Sequence, residues 1–178
     1  MIHQYPNDYP EWLPNLVLSD QFQWDSAHQT TFQDFLELVT FHDAYWINFS
    51  TNQNLEHILV IRLDAFWNKD YAQYSEEDVD WPFLVIKIEG IKTIIYLKHE
   101  DCNAATISTT ECEENNGLVV TTLHDVCGGY VQFAHRPAIK VLLLNALGTY
   151  LNPNPNDSNQ SNKDHQEEIP TPKKWWKI

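Results

Sequence analysis

Glycine is scarce in this 178-residue chain: there are 5, and the single adjacent pair, Gly128-Gly129, is not followed by Lys-Ser or Lys-Thr. A glycine-rich loop that cradles phosphate is nearly excluded by that count. Basic residues are also few, with 11 Lys and Arg against 25 Asp and Glu and a formal charge of −14. So acidic a chain repels phosphate backbones and anionic lipid, so neither nucleic acid nor a membrane is expected as a direct partner. Basic proteins, by contrast, are attracted. No run approaches ~18 uninterrupted apolar residues, so no helical membrane span is expected. The opening MIHQYPNDYPEWLPN lacks a basic segment leading into an apolar one and does not read as a signal peptide. Cysteine is limited to Cys102, Cys112 and Cys127. An odd count in a chain long enough for an ordinary core points to reduced thiols and a cytoplasmic setting, although Cys102 and Cys112 could still meet across a hairpin.

Buried-type side chains are plentiful. Apolar residues make up 43% and aromatics 13%, too many for a disordered polymer. The length suits one domain. Residues 1–24, with Pro6, Pro10 and Pro14, read as an extended segment in which Leu16-Val17-Leu18 forms a short strand. Asp25-Ser26 then stands as a cap ahead of AHQTTFQDFLELVT, where Phe32, Phe35, Leu36 and Val39 follow helical spacing, so an amphipathic helix is expected up to about Thr40. From Ala44 onward the period becomes two. Strands are expected over 44–49, 58–63, 83–89, 91–97, 104–110, 118–123, 130–134 and 139–144, about eight in all. The fold class is mainly β (α+β), an antiparallel sandwich or curved sheet with one N-terminal helix packed on it.

After Leu151 the chain turns into NPNPNDSNQSNKDHQEEIPTPKK, which has no apolar period and reads as a disordered tail ending in Trp175-Trp176-Lys177-Ile178. Its charges cancel, which leaves the whole acidic excess on residues 1–151. Two echoes run through the domain. FHDAYWINF (41–49) resembles LHDVCGGYVQF (123–133), and WPFLVIKIEGI (81–91) resembles RPAIKVLLLNAL (136–147). Similar turn chemistry at two strand starts accounts for both.

His42-Asp43 and His124-Asp125 are the sharpest candidates for chemistry. If the two elements lay side by side they could form a metal site for a hydrolase. The ordinary role is structural, with Asp accepting backbone N–H bonds at a turn while His packs beside it. Cys127 lies close to His124 in sequence, but neighbours on a strand alternate faces, and a buried thiol is inert. No GxSxG, HExxH, CxxC or calcium-loop pattern occurs. The carboxylates of Glu76-Glu77-Asp78 and Glu111-Glu113-Glu114 lie in polar stretches and read as solvated. No catalytic residue, metal or cofactor is therefore expected.

The run LELVTFHDAYWINF, then LEHILVIRLDAF, then FLVIKIEGIKTI, resembles the small β-rich immunity proteins of bacterial polymorphic-toxin systems over residues 30–100. That resemblance implies a cytoplasmic, non-enzymatic protein that neutralises a cognate toxin domain by direct contact. The charge is consistent with it, because toxin domains that cut nucleic acid carry basic clefts. The expected contact surface is the connection carrying Asp70, Glu76, Glu77, Asp78 and Asp80 with Tyr71, Tyr74 and Trp81 interleaved, since acids steer a basic partner and aromatics form hot spots. The competing class is a β-sandwich module that binds a small ligand in a pocket walled by Trp67 and Tyr71.

Overall fold

Ile58-Leu59-Val60-Ile61 and Phe83-Leu84-Val85-Ile86 carry apolar side chains at successive positions, so a strand built from either must be covered on both faces. In the computed structural model they are. The structure describes residues 2–3, 10–52, 54–69, 73–74, 79–80, 82–98 and 106–151; residues 2–3, 73–74 and 79–80 are described by their backbone alone. The expected tail, 152–178, lies outside the described residues, as does Cys102.

In chain order the elements are β1 (Ile2–His3), α1 (Trp12–Ser19), a 3₁₀ turn (Trp24–Ser26), β2 (His28–Thr31), α2 (Phe32–Phe35), β3 (Tyr45–Thr51), β4 (His57–Arg62), β5 (Gln73–Tyr74), β6 (Val79–Asp80), β7 (Phe83–Ile88), β8 (Thr93–Leu97), β9 (Ile107–Asn115), β10 (Leu118–Asp125), β11 (Tyr130–His135), β12 (Ala138–Leu144) and β13 (Tyr150–Leu151). One antiparallel sheet runs β1-β3-β4-β7-β12-β13, with β2 pairing the start of β12. A second runs β8-β11-β10-β9, the order of a Greek key, and β5 and β6 form a separate two-stranded hairpin. All pairings are antiparallel.

The central sheet sits between two layers. Leu59, Ile61, Leu84, Ile86, Ile139, Val141 and Leu143 pack with α2 and with Ile107, Leu123, Val131 and Phe133 of the second sheet. Ile58, Val60, Phe83, Val85, Leu142 and Leu144 pack on the opposite side with Leu13 and Val17 of α1. The second sheet buries one face only, and β11 alternates accordingly. In β3 the alternation fails at a bulge between Trp46 and Asn48.

The eight expected strands correspond to β3, β4, β7, β8, β9, β10, β11 and β12, and the fold is mainly β, as read from the sequence. The helices fall elsewhere than expected. Leu16-Val17-Leu18 is no strand, because Trp12, Leu13, Leu16 and Val17 repeat at helical spacing and Pro14 lies in the first turn, where a missing N–H costs nothing. The stretch expected to open the long helix is instead a strand, His28–Thr31, whose threonines suit an edge along β12. The actual cap is Thr31: its hydroxyl accepts from Asp34 N at 3.1 Å and donates to the Asp34 carboxylate at 2.9 Å. The helical stripe survives from there, with Phe32, Phe35 and Val39 buried.

The thiols also differ from the expectation of three reduced cysteines. Cys127 is disulfide-bonded and Cys112 is free. Among the described residues no helix is long and apolar enough to cross a membrane.

Candidate functional site

Two turns meet at the surface beside the start of β9. The first, residues 40–44, carries the chain from α2 into β3; the second, residues 64–69, follows β4. Asn68 fastens them together. Its amide oxygen accepts from Thr40 N at 2.9 Å, and its amide nitrogen donates to the carbonyls of Thr40 and Asp64 at 3.0 and 2.9 Å. The Asp64 carboxylate caps the second turn by accepting from Phe66 N at 2.8 Å and Trp67 N at 3.3 Å. With the backbone fixed from both ends, Phe66 and Trp67 point outward, 64% and 49% exposed.

The two rings stand edge to face at 5.2 Å, and Lys69 lies over Phe66 at 4.6 Å. Trp67 is held by its indole N–H, which donates to Asp43 Oδ2 at 3.1 Å, and by the His42 ring packed against it at 5.0 Å. His42 is oriented in turn by the Ser108 carbonyl, 3.1 Å from Nδ1, which makes Nδ1 the donor nitrogen. Asp43 adopts a left-handed conformation, φ 59°, and its N–H donates to the Ile107 carbonyl at 3.0 Å. The first His-Asp element therefore serves to orient an exposed tryptophan.

The second element works differently. Asp125 Oδ1 accepts from Cys127 N at 2.7 Å and Gly129 N at 2.8 Å and so closes the β10–β11 turn. His124 packs against Tyr130, with Nε2 3.4 Å from Glu111 Oε2. The two elements do approach one another, because Ser108 joins them: its carbonyl faces His42 while its hydroxyl lies 3.2 Å from the carbonyls of His124 and Asp125. What converges there is backbone, however, and among the described residues no group of three His, Cys, Asp or Glu side chains is arranged to hold a metal ion.

Cys112, Thr121 and His135 form an interior polar row. Thr121 Oγ1 lies 2.9 Å from His135 Nε2 and 3.6 Å from Cys112 Sγ, and His135 Nδ1 is 2.6 Å from the Arg136 carbonyl. Burial pushes the Cys112 thiol up, only partly countered by Thr121, so it is a poor nucleophile. Burial also holds His135 below the usual histidine value, against the opposing bond to Arg136.

Of the expected contact residues, Asp70, Tyr71, Glu76, Glu77, Asp78 and Trp81 lie outside the described residues. Tyr74 and Asp80 are placed by their backbone on the β5–β6 hairpin, opposite Val79 and Gln73. None of the described cavities, of about 290, 390 and 50 Å³, is lined by Trp67. Phe66 was not anticipated, although the spacing of Asp64 and Asn68 around it is a readable sign of a capped turn that presents what lies between. A scan against protein-family models, a search of curated proteins and a search of solved structures found no match to this chain.

Proposed function

We propose that the protein is an immunity-type binder that neutralises a cognate basic toxin domain by direct contact, through Phe66 and Trp67 and the acidic, aromatic connection that begins at Asp70. The observation that carries this reading is the rigid, outward-facing Phe66–Trp67 pair, anchored by Asp43, Asp64 and Asn68. Aromatics held in place before binding lose little entropy on contact and dominate interface energetics. The acidic excess supports a basic partner by steering its approach. An immunity protein acts where its toxin acts, which puts this one in the bacterial cytoplasm; the Cys127 disulfide would then have to persist against cytosolic reductants.

The test is affinity capture from the producing cell on immobilised wild type and on a Phe66→Ala, Trp67→Ala variant, followed by measurement of Kd for the retained protein. The expected outcome is one stoichiometric basic partner, bound at least about tenfold more weakly by the variant. Equal affinity for the two proteins, with the variant folded, would remove this patch from the interface; retention of no basic partner would remove the reading itself.

A further inference from the structure

The two edges of the second sheet are built in opposite ways. β9 is protected: residues 42–45 cover its start, and Glu111, Glu113 and Glu114 line the remainder. Among the described residues β8 has no such protection. There it pairs with β11 alone, all five of its residues are exposed, and none of Thr93-Ile94-Ile95-Tyr96-Leu97 is charged. An uncharged apolar edge of this length is a template for another strand.

Its side chains are exposed on both faces. Ile94 and Tyr96 lie on the same face as the fully buried Phe133 and Val131, yet remain 44% and 41% exposed even though Tyr96 packs edge to face on Trp46 of β3 at 5.5 Å. On the other face Ile95 and Leu97 are equally open. An added strand would therefore meet apolar neighbours above and below as well as the outward-facing backbone groups.

Charge selects the occupant. Lys92, just before β8, and Arg136, just after β11, are both exposed at the start of this edge, and among the described residues neither has a carboxylate within ion-pair distance. Arg136 is laid across Gly90, where a β-carbon would come within 3.0 Å of its Cγ, Cδ and Nε. Glu89 lines a separate crevice with Lys87 and Lys140. In a chain with a formal charge of −14, the start of this apolar edge is a local basic site. A second copy fits poorly, since antiparallel pairing centred on Ile95 would set Lys92 opposite Lys98 and bring two acidic chains together. The apolar end of the chain's own terminal stretch, Trp175-Trp176, is flanked by Lys173, Lys174 and Lys177, the wrong sign to lie over Lys92 and Arg136.

We propose that the edge of β8 accepts an antiparallel strand from a partner protein, an extended apolar segment with acidic residues at the end that lies over Lys92 and Arg136. This is independent of the Phe66–Trp67 contact. It is tested on the full-length protein with two labelled peptides, TVTVTEE and TVTVTKK, by fluorescence anisotropy and by amide hydrogen exchange of residues 93–97. The acidic peptide should bind about fivefold more tightly at low salt and slow exchange in β8, and the gap should narrow at high salt. Lys92→Glu with Arg136→Glu should reverse the order, while Trp67→Ala should leave both affinities unchanged. Failure of the acidic peptide to bind, or binding without slowed exchange in β8, would overturn the proposal. So would a preference that survives the charge reversal, or β8 protection that rises with protein concentration in the absence of peptide, which would make the occupant a second copy.

Discussion

Lys87 Nζ stands 3.2 Å from Glu56 Oε2 at the margin of the central sheet, with the Trp24 ring 4.6 Å from the ammonium. Asn52 donates to the same Glu56 oxygen at 2.7 Å and to Asp20, which also accepts from the Trp24 indole. One polar chain thus ties the end of α1 to the β3–β4 turn and to β7. The lysine is nearly buried while the glutamate keeps about a quarter of its surface, 8% against 24%, so the two partners are not equivalent. Glu56→Ala strands a buried charge and should cost about 2 kcal/mol. Lys87→Met leaves only a partly solvated carboxylate and should change stability by less than about 1 kcal/mol. Urea denaturation of the two variants checks the asymmetry.

Acid should destabilise the protein in two stages. Burial lowers His135 and His57 below 6.5, so below that value the unfolded chain binds protons that the folded one refuses, and stability falls as pH drops through 6.5. Burial alone would raise Glu56, but the Asn52 and Lys87 hydrogen bonds and the charges of Lys87 and Lys140 outweigh it and leave the carboxyl lowered from 4.5. Its contribution is present above 4.5 and is lost as pH falls further. His135→Gln should shrink the first stage, leaving the part due to His57, and spare the second, as read from melting temperature across a pH series.

Gly129 tests the second turn. A β-carbon there would lie 2.7 Å from the Leu97 carbonyl and closer still to Asp125 Oδ2, so Gly129→Ala should cost about 2–3 kcal/mol. Gly117, at φ 76° in the β9–β10 turn, opens onto empty space, and Gly117→Ala should cost only about 1 kcal/mol from backbone strain. Thermal denaturation should rank the two variants in that order.

Asp43 is the hinge between folding and the proposed contact. Asp43→Asn keeps an oxygen for the Trp67 indole and tolerates the left-handed backbone, so stability should change by under about 0.5 kcal/mol. Asp43→Ala loses both and should cost about 1 kcal/mol while loosening Trp67. A fall in the time-resolved tryptophan anisotropy of the alanine variant alone would show it.

The long strands were legible because a two-residue period, or an unbroken apolar run, has one structural meaning when turn residues bound it. Ile58–Ile61 and Phe83–Ile86 are the clear cases. The helices were not, since His28–Thr31 is polar enough to suit either state and is settled only by the open edge of β12. Thr31 and Asp34, three apart ahead of the apolar stripe, offered a better cap than Asp25-Ser26. Asn116-Gly117 likewise marked a tight hairpin that would have extended the fifth strand to Asn115. At the site, the turn role expected of Asp is the one Asp125 plays, accepting from the Cys127 and Gly129 N–H groups just after it, whereas the bond from Asp43 to Trp67 is a tertiary contact that no spacing encodes.

The Greek-key sheet is an excursion, since the chain leaves the central sheet at Ile88, builds β8 through β11, and returns at Ala138 to lie beside the strand it left. Joining β7 to β12 first would close that whole span as a flexible loop, at an entropic cost that forming the intervening hairpins reduces by shortening it. Refolding should therefore proceed outward from β9–β10–β11, with the central sheet sealed late, and its rate should be set by this non-local closure more than by the length of the chain. Variants in the β9–β10 turn would then slow folding, whereas variants along β7 and β12 would chiefly hasten unfolding.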